Sequence, residues 1–399
     1  MPHADETDVV ATAGRGPEVA AAAVRMWDTG RAILPLPADA PAAEISRLLE
    51  TIRPTHYLDD GQPARLPRGV PAPAGTAAIV ATSGTSGAPK GVELTRSGME
   101  AMARGYSAAV GAGADAHWLA CLPLHHVASL APIARAYVTG VRWTAFPSFD
   151  LDEVARAPRT IGATIVSVVP TVLARLLDAG APLEDYRCVI VGGAPFPLAL
   201  RERAEARGVR VADAYGMTET WGGWAIDGAP IAGVEYRLDG DGEILVRGDV
   251  VMRGYRLDPA QTAAAFTTDG WLRTGDVGAT VDGRVQVFDR KKDLIISGGV
   301  NVSPTEVEGV LARHPDIADV CVVGVPDEEW GERVVAFVVP SGDLGPDVDA
   351  LRAFAREQLS APKLPREVRV VAEIPRSGSG KALRRLLRDT RALRERPAR

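Results

Sequence analysis

The chain has 399 residues, of which 46% are hydrophobic and 24% charged, as in an ordinary soluble globular protein of about two domains. Its 45 basic and 51 acidic residues give a formal net charge of −6. This charge argues against nucleic acid as the main partner, because phosphate-backbone binders usually carry a basic excess. No apolar stretch reaches the length of about 18 residues that a transmembrane helix needs, so no membrane segment is expected.

The first residues are acidic and have no apolar stretch beside them, so they do not resemble a signal peptide, and residues 1 to about 16 are expected to be disordered. The cysteines Cys121, Cys188 and Cys321 stand far apart in apolar runs. We interpret them as buried free thiols in a reducing compartment, without the spacing of a metal site. These features together favour a cytoplasmic protein.

Helices and strands alternate through the first half of the chain, which predicts an α/β layer with a parallel sheet. The predicted helices are 17–27, 43–52, 96–110, 128–137, 151–156, 171–178 and 198–206. The predicted strands are 32–36, 55–58, 116–122, 143–146, 165–169, 188–191 and 209–212. Residues 61–75 are rich in Pro, Ala and Gly and are predicted to form a connecting loop.

The pattern changes after residue 220. Short apolar or alternating runs with glycine-rich turns at 233–238, 243–247 and 284–288 predict an antiparallel β region. An α+β segment follows, with helices predicted at 305–313 and 349–359 and strands at 320–325, 333–339 and 368–371. We place a domain boundary at the charged cluster 289–293, near Lys292. The predicted fold class is α/β: a large N-terminal domain of layered sheets with helices and a small β region, and a small mobile α+β C-terminal domain.

A polar, glycine-rich loop follows the apolar run 77–80. It consists of Thr82, Ser83, Gly84, Thr85, Ser86, Gly87, Ala88, Pro89, Lys90 and Gly91. Small hydroxyl residues and glycines let donors approach an anion closely, and a lysine adds a full positive charge, so the loop is predicted to bind a polyphosphate. By itself the stretch could also be a flexible surface loop.

Neither this loop nor a second candidate is a Walker A motif, which requires G-x-x-x-x-G-K-[ST]. Gly91 follows Lys90 where Ser or Thr is required, and Ala382 takes that place after Gly378-Ser379-Gly380-Lys381. A P-loop NTPase is therefore not predicted.

Five motifs in order, from about residue 75 to Lys381, resemble the adenylate-forming superfamily of acyl-CoA ligases, adenylation domains and luciferases. They are the phosphate loop Thr82 to Lys90, Tyr215-Gly216-Met217-Thr218-Glu219, Thr274-Gly275-Asp276, Asp289-Arg290-Lys291-Lys292-Asp293, and Pro375-Arg376-Ser377-Gly378-Ser379-Gly380-Lys381. The resemblance implies that a carboxylate reacts with ATP to give an acyl-adenylate and pyrophosphate.

The resemblance also assigns roles to residues. It places Thr82, Ser83, Gly84, Thr85, Ser86, Gly87 and Lys90 at the ATP phosphates, Gly192, Gly193, Ala194, Asp213, Tyr215 and Gly216 around the adenine, and Asp276 and Arg290 at the ribose. Thr218 would contact the α-phosphate, Glu219 would hold Mg²⁺, and Lys381 would bridge the substrate carboxylate and the α-phosphate. Outside this family context, Asp276 and Arg290 could be surface charges, Glu219 could cap a helix, and Lys381 could be an ordinary exposed lysine.

The second half-reaction of the family implies a rotation of the C-terminal domain. By position Lys292 is the hinge, which divides the chain into a large adenylate-forming domain, 1–291, with a truncated N-terminal subdomain, and a small C-terminal lid domain, 292–399. In CoA ligases the glycines after the hinge leave room for pantetheine, and Gly298 and Gly299 match them. CoA is then the co-substrate beside ATP and Mg²⁺.

The acyl pocket is expected to include His126, Ser129, Val168, Thr171, Trp221 and Trp224. Two large aromatic residues with small neighbours suggest a compact or aromatic acid, although the histidine and both tryptophans could also be core residues. The early phosphate loop and Leu124-His125-His126 look most like the o-succinylbenzoate–CoA ligases of menaquinone synthesis. The chain departs from that pattern at Ser129, where a glycine is expected, and at Val300, which replaces an acidic residue.

Two alternatives remain open. One is an enzyme of the same fold with another acceptor: a carrier-protein thiol, an amine, or nitrite in a diazotisation. The other is a non-catalytic nucleotide-binding homologue, against which the intact Glu219 and Lys381 argue. A homodimer is left open as the oligomeric state.

Overall fold

The computed structural model describes residues 5–59, 61–83, 89–342, 345–376 and 382–388. The chain forms two compact units. Unit 1 comprises Met1–Arg237, Leu245–Thr274 and Val281–Val285, and unit 2 comprises Leu238–Ile244, Gly275–Thr280 and Gln286–Arg399. The α/β class predicted from the sequence is confirmed, whereas the boundary near Lys292 stays a prediction.

The helices of the described ranges largely match the predicted ones. They are α1 (Gly16–Asp28), α2 (Ala42–Ile52), α3 (Arg96–Val110), α4 (Val127–Thr139), α5 (Leu151–Ile161), α6 (Pro170–Asp178), α7 (Leu198–Glu205), α8 (Pro259–Ala265), α9 (Pro304–Leu311), α10 (Val348–Ala355) and α11 (Arg384–Arg388). Helix α5 begins at the Asp150 cap, whose carboxylate accepts from the Glu153 amide, and ends at Gly162 with φ +70°. It extends beyond the predicted end at residue 156 and tolerates Pro158 inside it.

The strands are more numerous than predicted. They are β1 (Glu6–Thr7), β2 (Val9–Ala13), β3 (Ala32–Leu36), β4 (His56–Asp59), β5 (Gln62–Arg65), β6 (Ala72–Pro73), β7 (Thr76–Ser83), β8 (Pro89–Thr95), β9 (His117–Ala120), β10 (Arg142–Ala145), β11 (Ile165–Val168), β12 (Cys188–Gly192), β13 (Val211–Met217), β14 (Gly222–Ile226), β15 (Ala229–Pro230), β16 (Val234–Leu238), β17 (Glu243–Gly248), β18 (Gly254–Tyr255), β19 (Leu272–Val281), β20 (Arg284–Arg290), β21 (Ile295–Ser297), β22 (Val300–Val302), β23 (Ile317–Asp327), β24 (Gly331–Pro340) and β25 (Glu367–Val370).

Unit 1 contains a seven-stranded sheet in the order β18-β8-β7-β3-β2-β4-β5. The central pairs β2/β3, β2/β4 and β3/β7 are parallel, and the outer pairs are antiparallel. Its buried core includes Leu34, Ile52 and Ile79. Strands β7 and β8 form the hairpin that carries the phosphate loop.

Two sequence predictions near the N-terminus are wrong. Residues 5–16 were expected to be disordered, yet β2 lies in the middle of the sheet with Val9, Val10 and Ala11 completely buried. Three apolar residues are enough to form this strand because β3 and β4 provide hydrogen-bond partners for its backbone on both sides. The predicted loop 61–75 contains β5 and β6, because β5 pairs with β4 and β6 with β1 despite their low strand propensity.

A second seven-stranded sheet of unit 1 has the order β10-β9-β11-β12-β13-β14-β15. It is parallel from β10 to β13 and antiparallel beyond. Strand β13 continues through Tyr215-Gly216-Met217, beyond the predicted end of the strand at residue 212. The motif Tyr215 to Glu219 therefore begins within β13 and leaves the sheet at Thr218. This is the carboxyl end of a parallel strand, where open α/β sheets bind ligands.

The strands predicted between residues 233 and 288 are present as β16, β17 and β20, together with the unpredicted β19. The division between the units passes through this part of the chain.

Unit 2 contains a sheet in the order β22-β21-β24-β23, with β25 parallel to β24. One cluster of buried side chains joins this sheet to α9 and α10 through residues such as Val307 and Leu351. A second cluster joins it to α11 through Phe337 and Leu387.

The cysteine prediction is confirmed, since Cys121, Cys188 and Cys321 are free and buried. None of the helices in the described ranges combines the length and the apolar character that crossing a membrane requires.

Candidate active site

The phosphate loop joins two antiparallel strands. Thr82 lies opposite Lys90 in the β7–β8 ladder, and Ser83 lies opposite Pro89. A Walker A loop instead leads from a strand into a helix, so the observed hairpin agrees with its exclusion. The predicted phosphate ligands Gly84, Thr85, Ser86 and Gly87 lie outside the described residues.

Glu219 lies in a short 3₁₀ turn, Thr218–Thr220, directly after β13. Its side chain is buried, with a residue exposure of 9%, and the Tyr255 hydroxyl donates to Oε1 at 2.8 Å. The Tyr255 ring in turn faces Lys90, whose Nζ lies 4.9 Å from the ring centroid. Tyr255 thus connects the predicted metal ligand with the predicted phosphate lysine. It was not predicted from the sequence, because it lies far from both residues in the chain.

Trp221 and Trp224 do not wall a pocket, which corrects the sequence prediction. Both are completely buried. Trp221 adopts φ +54° and its Nε1 donates to the Thr95 carbonyl at 3.0 Å, while Trp224 packs on the rings of Tyr215 and Tyr236. Trp221 therefore ties the Thr218–Thr220 turn to the end of β8, and Trp224 belongs to the core.

The residues predicted around the adenine converge at the ends of two adjacent parallel strands. Gly192 of β12 lies opposite Ala214 of β13, with Gly193 and Tyr215 next to them. A Cβ on Gly192 would lie 2.8 Å from the Ala214 carbonyl oxygen, so this close approach requires glycine.

Asp213 carries a perturbed carboxyl group at this edge. Burial raises its pKa to about 6, the Asp227 carboxylate adds to the rise, and Arg201 opposes it. Strongly perturbed pKa values cluster at functional sites, so this shift makes Asp213 a candidate site residue.

A cavity of about 80 Å³ lies beside this edge. It is lined by Tyr106, Leu122, Val127, Ala128, Ala131, Arg135, Ser167, Val168, Val169, Ile190, Gly192, Gly193, Ala214, Gly216, Met217, Gly222 and Gly223. Of the predicted pocket residues, only Val168 lines it. Ser129 is buried outside its lining, and His126 and Thr171 are exposed and also lie outside it.

Arg135 is the one charged residue among those lining side chains, and it is only 3% exposed. Its guanidinium carbon lies 3.5 Å from the Tyr106 ring centroid and 5.2 Å from that of Trp118, and Nε donates to Met102 Sδ at 3.2 Å. No carboxylate of the described residues lies within ion-pair distance of it. Burial lowers the pKa of Arg135, but an arginine keeps its proton at neutral pH.

Burial also raises the pKa of Tyr106 to about 12, so that phenol is neutral at physiological pH. The cavity therefore holds a full positive charge in apolar surroundings. The sequence carries a signal for this buried charge, since Arg135 interrupts an otherwise apolar helical stretch.

In unit 2 the two predicted ribose ligands meet. Arg290 Nε lies 2.7 Å from Asp276 Oδ1, and Asp276 is buried. The predicted hinge Lys292 is exposed in the 3₁₀ turn that follows, whereas the adjacent Lys291 is held by Asp241 at 3.1 Å and Glu243 at 3.3 Å. An anchored residue thus directly precedes the predicted hinge.

Gly298 and Gly299 form the turn between β21 and β22, with φ +59° and +78°. A Cβ on Gly298 would lie 3.0 Å from the Trp330 ring, while nothing lies within 4 Å of one on Gly299. The positive φ angles therefore explain the presence of glycine at both positions, independently of the predicted CoA channel.

Lys381 and residues 377–380 lie outside the described residues, but the flanking residues are well held. Arg376 pairs with Ala382 in an isolated bridge and with the Asp319 carboxylate at 2.8 Å. Arg384 contacts both oxygens of Glu308, at 2.8 and 2.7 Å. These two ion pairs fix the chain on either side of the predicted catalytic lysine.

Comparison with known proteins identifies the family. Residues 58–256 match the AMP-binding enzymes, and residues 306–381 match the C-terminal domain of AMP-binding enzymes. The 2-succinylbenzoate–CoA ligase of Bacillus anthracis (strain A0248) is 37% identical in an alignment of 337 positions that covers 78% of this chain and 69% of the relative. This chain belongs to the AMP-binding enzyme family.

Solved structures of AMP-binding enzymes share its architecture. The o-succinylbenzoate CoA synthetase of Bacillus subtilis, in complex with the acyl-adenylate intermediate, aligns with a TM-score of 0.84 at 29% identity, covering 97% of this chain and 89% of that one. The amide bond synthetase McbA of Marinactinospora thermotolerans aligns with a TM-score of 0.83 at 27% identity, covering 96% and 89%. The family resemblance drawn from the five motifs is thereby confirmed.

Proposed function

We propose that this AMP-binding enzyme is an ATP-dependent acid–CoA ligase. It joins a small carboxylic acid to AMP with release of pyrophosphate, and then transfers the acyl group to CoA. The observation that carries the proposal is the arrangement Lys90–Tyr255–Glu219 beside the phosphate loop, which brings a cation and a carboxylate together at the end of β13.

The chemistry of the first half-reaction fits these residues. A carboxylic acid is already ionised at neutral pH, so no general base is needed. The difficulty is to bring one anion against another, which positive charge and preorganised donors overcome. Lys90 would hold the phosphates, Thr218 the α-phosphate, and Lys381 would stand between the reacting carboxylate and phosphate.

Glu219 has the chemistry of a magnesium ligand. Mg²⁺ prefers oxygen ligands and is usually bound by one or two carboxylates together with substrate phosphates, and Glu219 supplies one buried carboxylate. When bound, the ion would neutralise charge on the departing pyrophosphate. Asp276 and Arg290 are proposed to hold the ribose, and Gly192 and Tyr215 to flank the adenine.

Arg135 indicates which acid the cavity accepts. A buried guanidinium without a carboxylate partner is costly in an apolar site, and a second carboxylate on the substrate would compensate it. o-Succinylbenzoate carries two carboxylates and an aromatic ring, and the curated relative acts on that acid. We therefore propose a dicarboxylic aryl acid of this kind as substrate, and menaquinone synthesis as the pathway.

An amine acceptor is the second candidate, because a structural neighbour of similar TM-score is an amide bond synthetase. For CoA, the thiol would attack the acyl-adenylate after rotation about Lys292, between domains 1–291 and 292–399, with pantetheine passing Gly299. A cytoplasmic location, which fits three free thiols, completes the proposal.

The test is pyrophosphate release from ATP with a panel of acids, each with and without CoA, followed by mass spectrometry of the products. We expect CoA-dependent release and an acyl-CoA with o-succinylbenzoate. Release that does not depend on CoA, with no thioester, would exclude the ligase, and an amide formed with added amines would support the second candidate.

A further inference from the structure

The segment 252–256 runs beside the β7–β8 hairpin, which carries the phosphate loop. Strand β18 pairs antiparallel with β8, with Tyr255 opposite Val92, and the Arg256 amide donates to the Gly91 carbonyl at 2.8 Å. Residues opposite each other in a sheet point to the same face, and so do residues two apart in one strand. Tyr255 therefore shares a face with Lys90, which explains why the ammonium lies over its ring.

The same segment also holds Glu219. The Met252 amide donates to the Glu219 carbonyl at 2.7 Å, and the Tyr255 hydroxyl donates to the Glu219 carboxylate at 2.8 Å. Both the backbone and the side chain of Glu219 are thus fixed by residues of one short segment.

The segment itself is anchored on its other side. Arg256 forms a buried ion pair with Glu93 at 2.9 Å and donates to the Ile52 carbonyl at 2.6 Å. The Tyr255 amide donates to Thr262 Oγ1 at 2.8 Å. These contacts make the segment rigid before any ligand binds, as a preorganised site requires.

We propose that Tyr255 is a positioning residue that sets Glu219 and Lys90 in register with each other. Its hydroxyl orients one carboxylate oxygen of Glu219, so that the other oxygen is available to a cation, and its ring holds the Lys90 ammonium on the same side for the phosphates. The inference rests on the proposed ATP and magnesium chemistry of this site.

Two substitutions separate the contributions of the hydroxyl and the ring. Tyr255→Phe removes the hydrogen bond to Glu219 and keeps the ring under Lys90. Tyr255→Leu removes both. Tyr186→Phe is the matched control, because it also deletes a buried hydroxyl, which donates to the Val154 carbonyl at 2.6 Å in another core cluster.

The measurements are calorimetric titrations of the full-length protein with ATP, with and without Mg²⁺, and the Mg²⁺ concentration that gives half-maximal pyrophosphate release. Loss of an outer partner of a metal ligand typically costs about 10- to 100-fold in metal affinity. We expect Tyr255→Phe to raise the required Mg²⁺ about 10-fold and to leave Mg²⁺-free ATP binding unchanged. Tyr255→Leu should weaken Mg²⁺-free binding as well.

Tyr186→Phe should change neither quantity, although it lowers the melting temperature. A Mg²⁺ requirement of Tyr255→Phe equal to that of the unmodified protein would overturn the proposal, as would an equal rise in Tyr186→Phe. Failure of the unmodified protein to bind ATP would instead overturn the proposed function, so the two failures are distinguishable.

Discussion

Replacing Arg135 by Met tests the dicarboxylate specificity directly. The variant keeps an unbranched side chain of similar length in the cavity and removes its only charge among the described lining residues. Two unit charges about 4 Å apart interact by about 4 kcal/mol at an effective dielectric constant of 20, and breaking a buried pair costs about 3–5 kcal/mol. We expect kcat/KM for a dicarboxylic acid to fall by about two orders of magnitude or more.

The free protein should respond differently. Arg135 is 3% exposed and has no carboxylate partner among the described residues, so its removal relieves a desolvation cost. The variant also loses the contact between the guanidinium and the Tyr106 ring, at 3.5 Å, which contributes about 1–2 kcal/mol to stability. The free energy of unfolding without substrate should therefore change by less than about 2 kcal/mol.

The assay is pyrophosphate release with o-succinylbenzoate and with benzoate, alongside urea unfolding of the free protein. Arg175→Met is the control, since Arg175 also lies over a ring, that of Phe149 at 5.4 Å, but does not line the cavity. An equal loss of kcat/KM with o-succinylbenzoate and with benzoate would refute a role of Arg135 in recognising the second carboxylate. A loss of stability large enough to explain the lower kcat/KM would refute it as well.

Three further predictions concern single residues. Lys381→Ala should abolish adenylation but spare thioester formation from pre-made acyl-adenylate, measured by separate assays of each half-reaction; equal loss of both would contradict separate conformations. Because burial raises the pKa of Asp213 to about 6, its contribution to stability is present below pH 4 and lost as pH rises through 6. Asp213→Asn should therefore raise the melting temperature at pH 7.5 relative to the unmodified protein and change it little at pH 4. Trp221→Phe loses the bond to Thr95 and should cost about 1 kcal/mol more in urea unfolding than Trp224→Phe, whose Nε1 has no partner among the described residues.

Local patterns predicted most of the fold. Periodicity and turn residues located most helices to within one or two residues, for example 96–110, because caps such as Thr95 and Gly111 lie next to the helix in sequence. The prediction was wrong at β2, where burial comes from neighbouring strands rather than from the strand's own length. The C-terminal extension of β13 was missed because Gly216 reads as a loop residue, although it allows the close approach of the Gly222 carbonyl.

Candidate site residues were predicted only where a motif is contiguous. Family order proposed Glu219, Asp276 and Arg290, of which the last two lie 2.7 Å apart. It could not find Arg135 or Tyr255, since their roles depend on contacts across the fold and on what burial does to charge. Trp221 and Trp224 were wrongly predicted to line the pocket for the same reason. The presence of aromatic residues does not distinguish a pocket wall from a buried core.

The three buried thiols make this protein convenient for spectroscopic labelling. Burial raises the pKa of Cys121 and Cys321 to about 12 and that of Cys188 to about 11, so at pH 8 about one thousandth or less of each is thiolate. An exposed cysteine, with a pKa near 8.5, is about one quarter thiolate at that pH and reacts far faster with maleimides. Dyes at Glu202→Cys in unit 1 and Glu357→Cys in unit 2, both exposed positions, can therefore report the distance between the units by energy transfer during turnover, without removing any native cysteine.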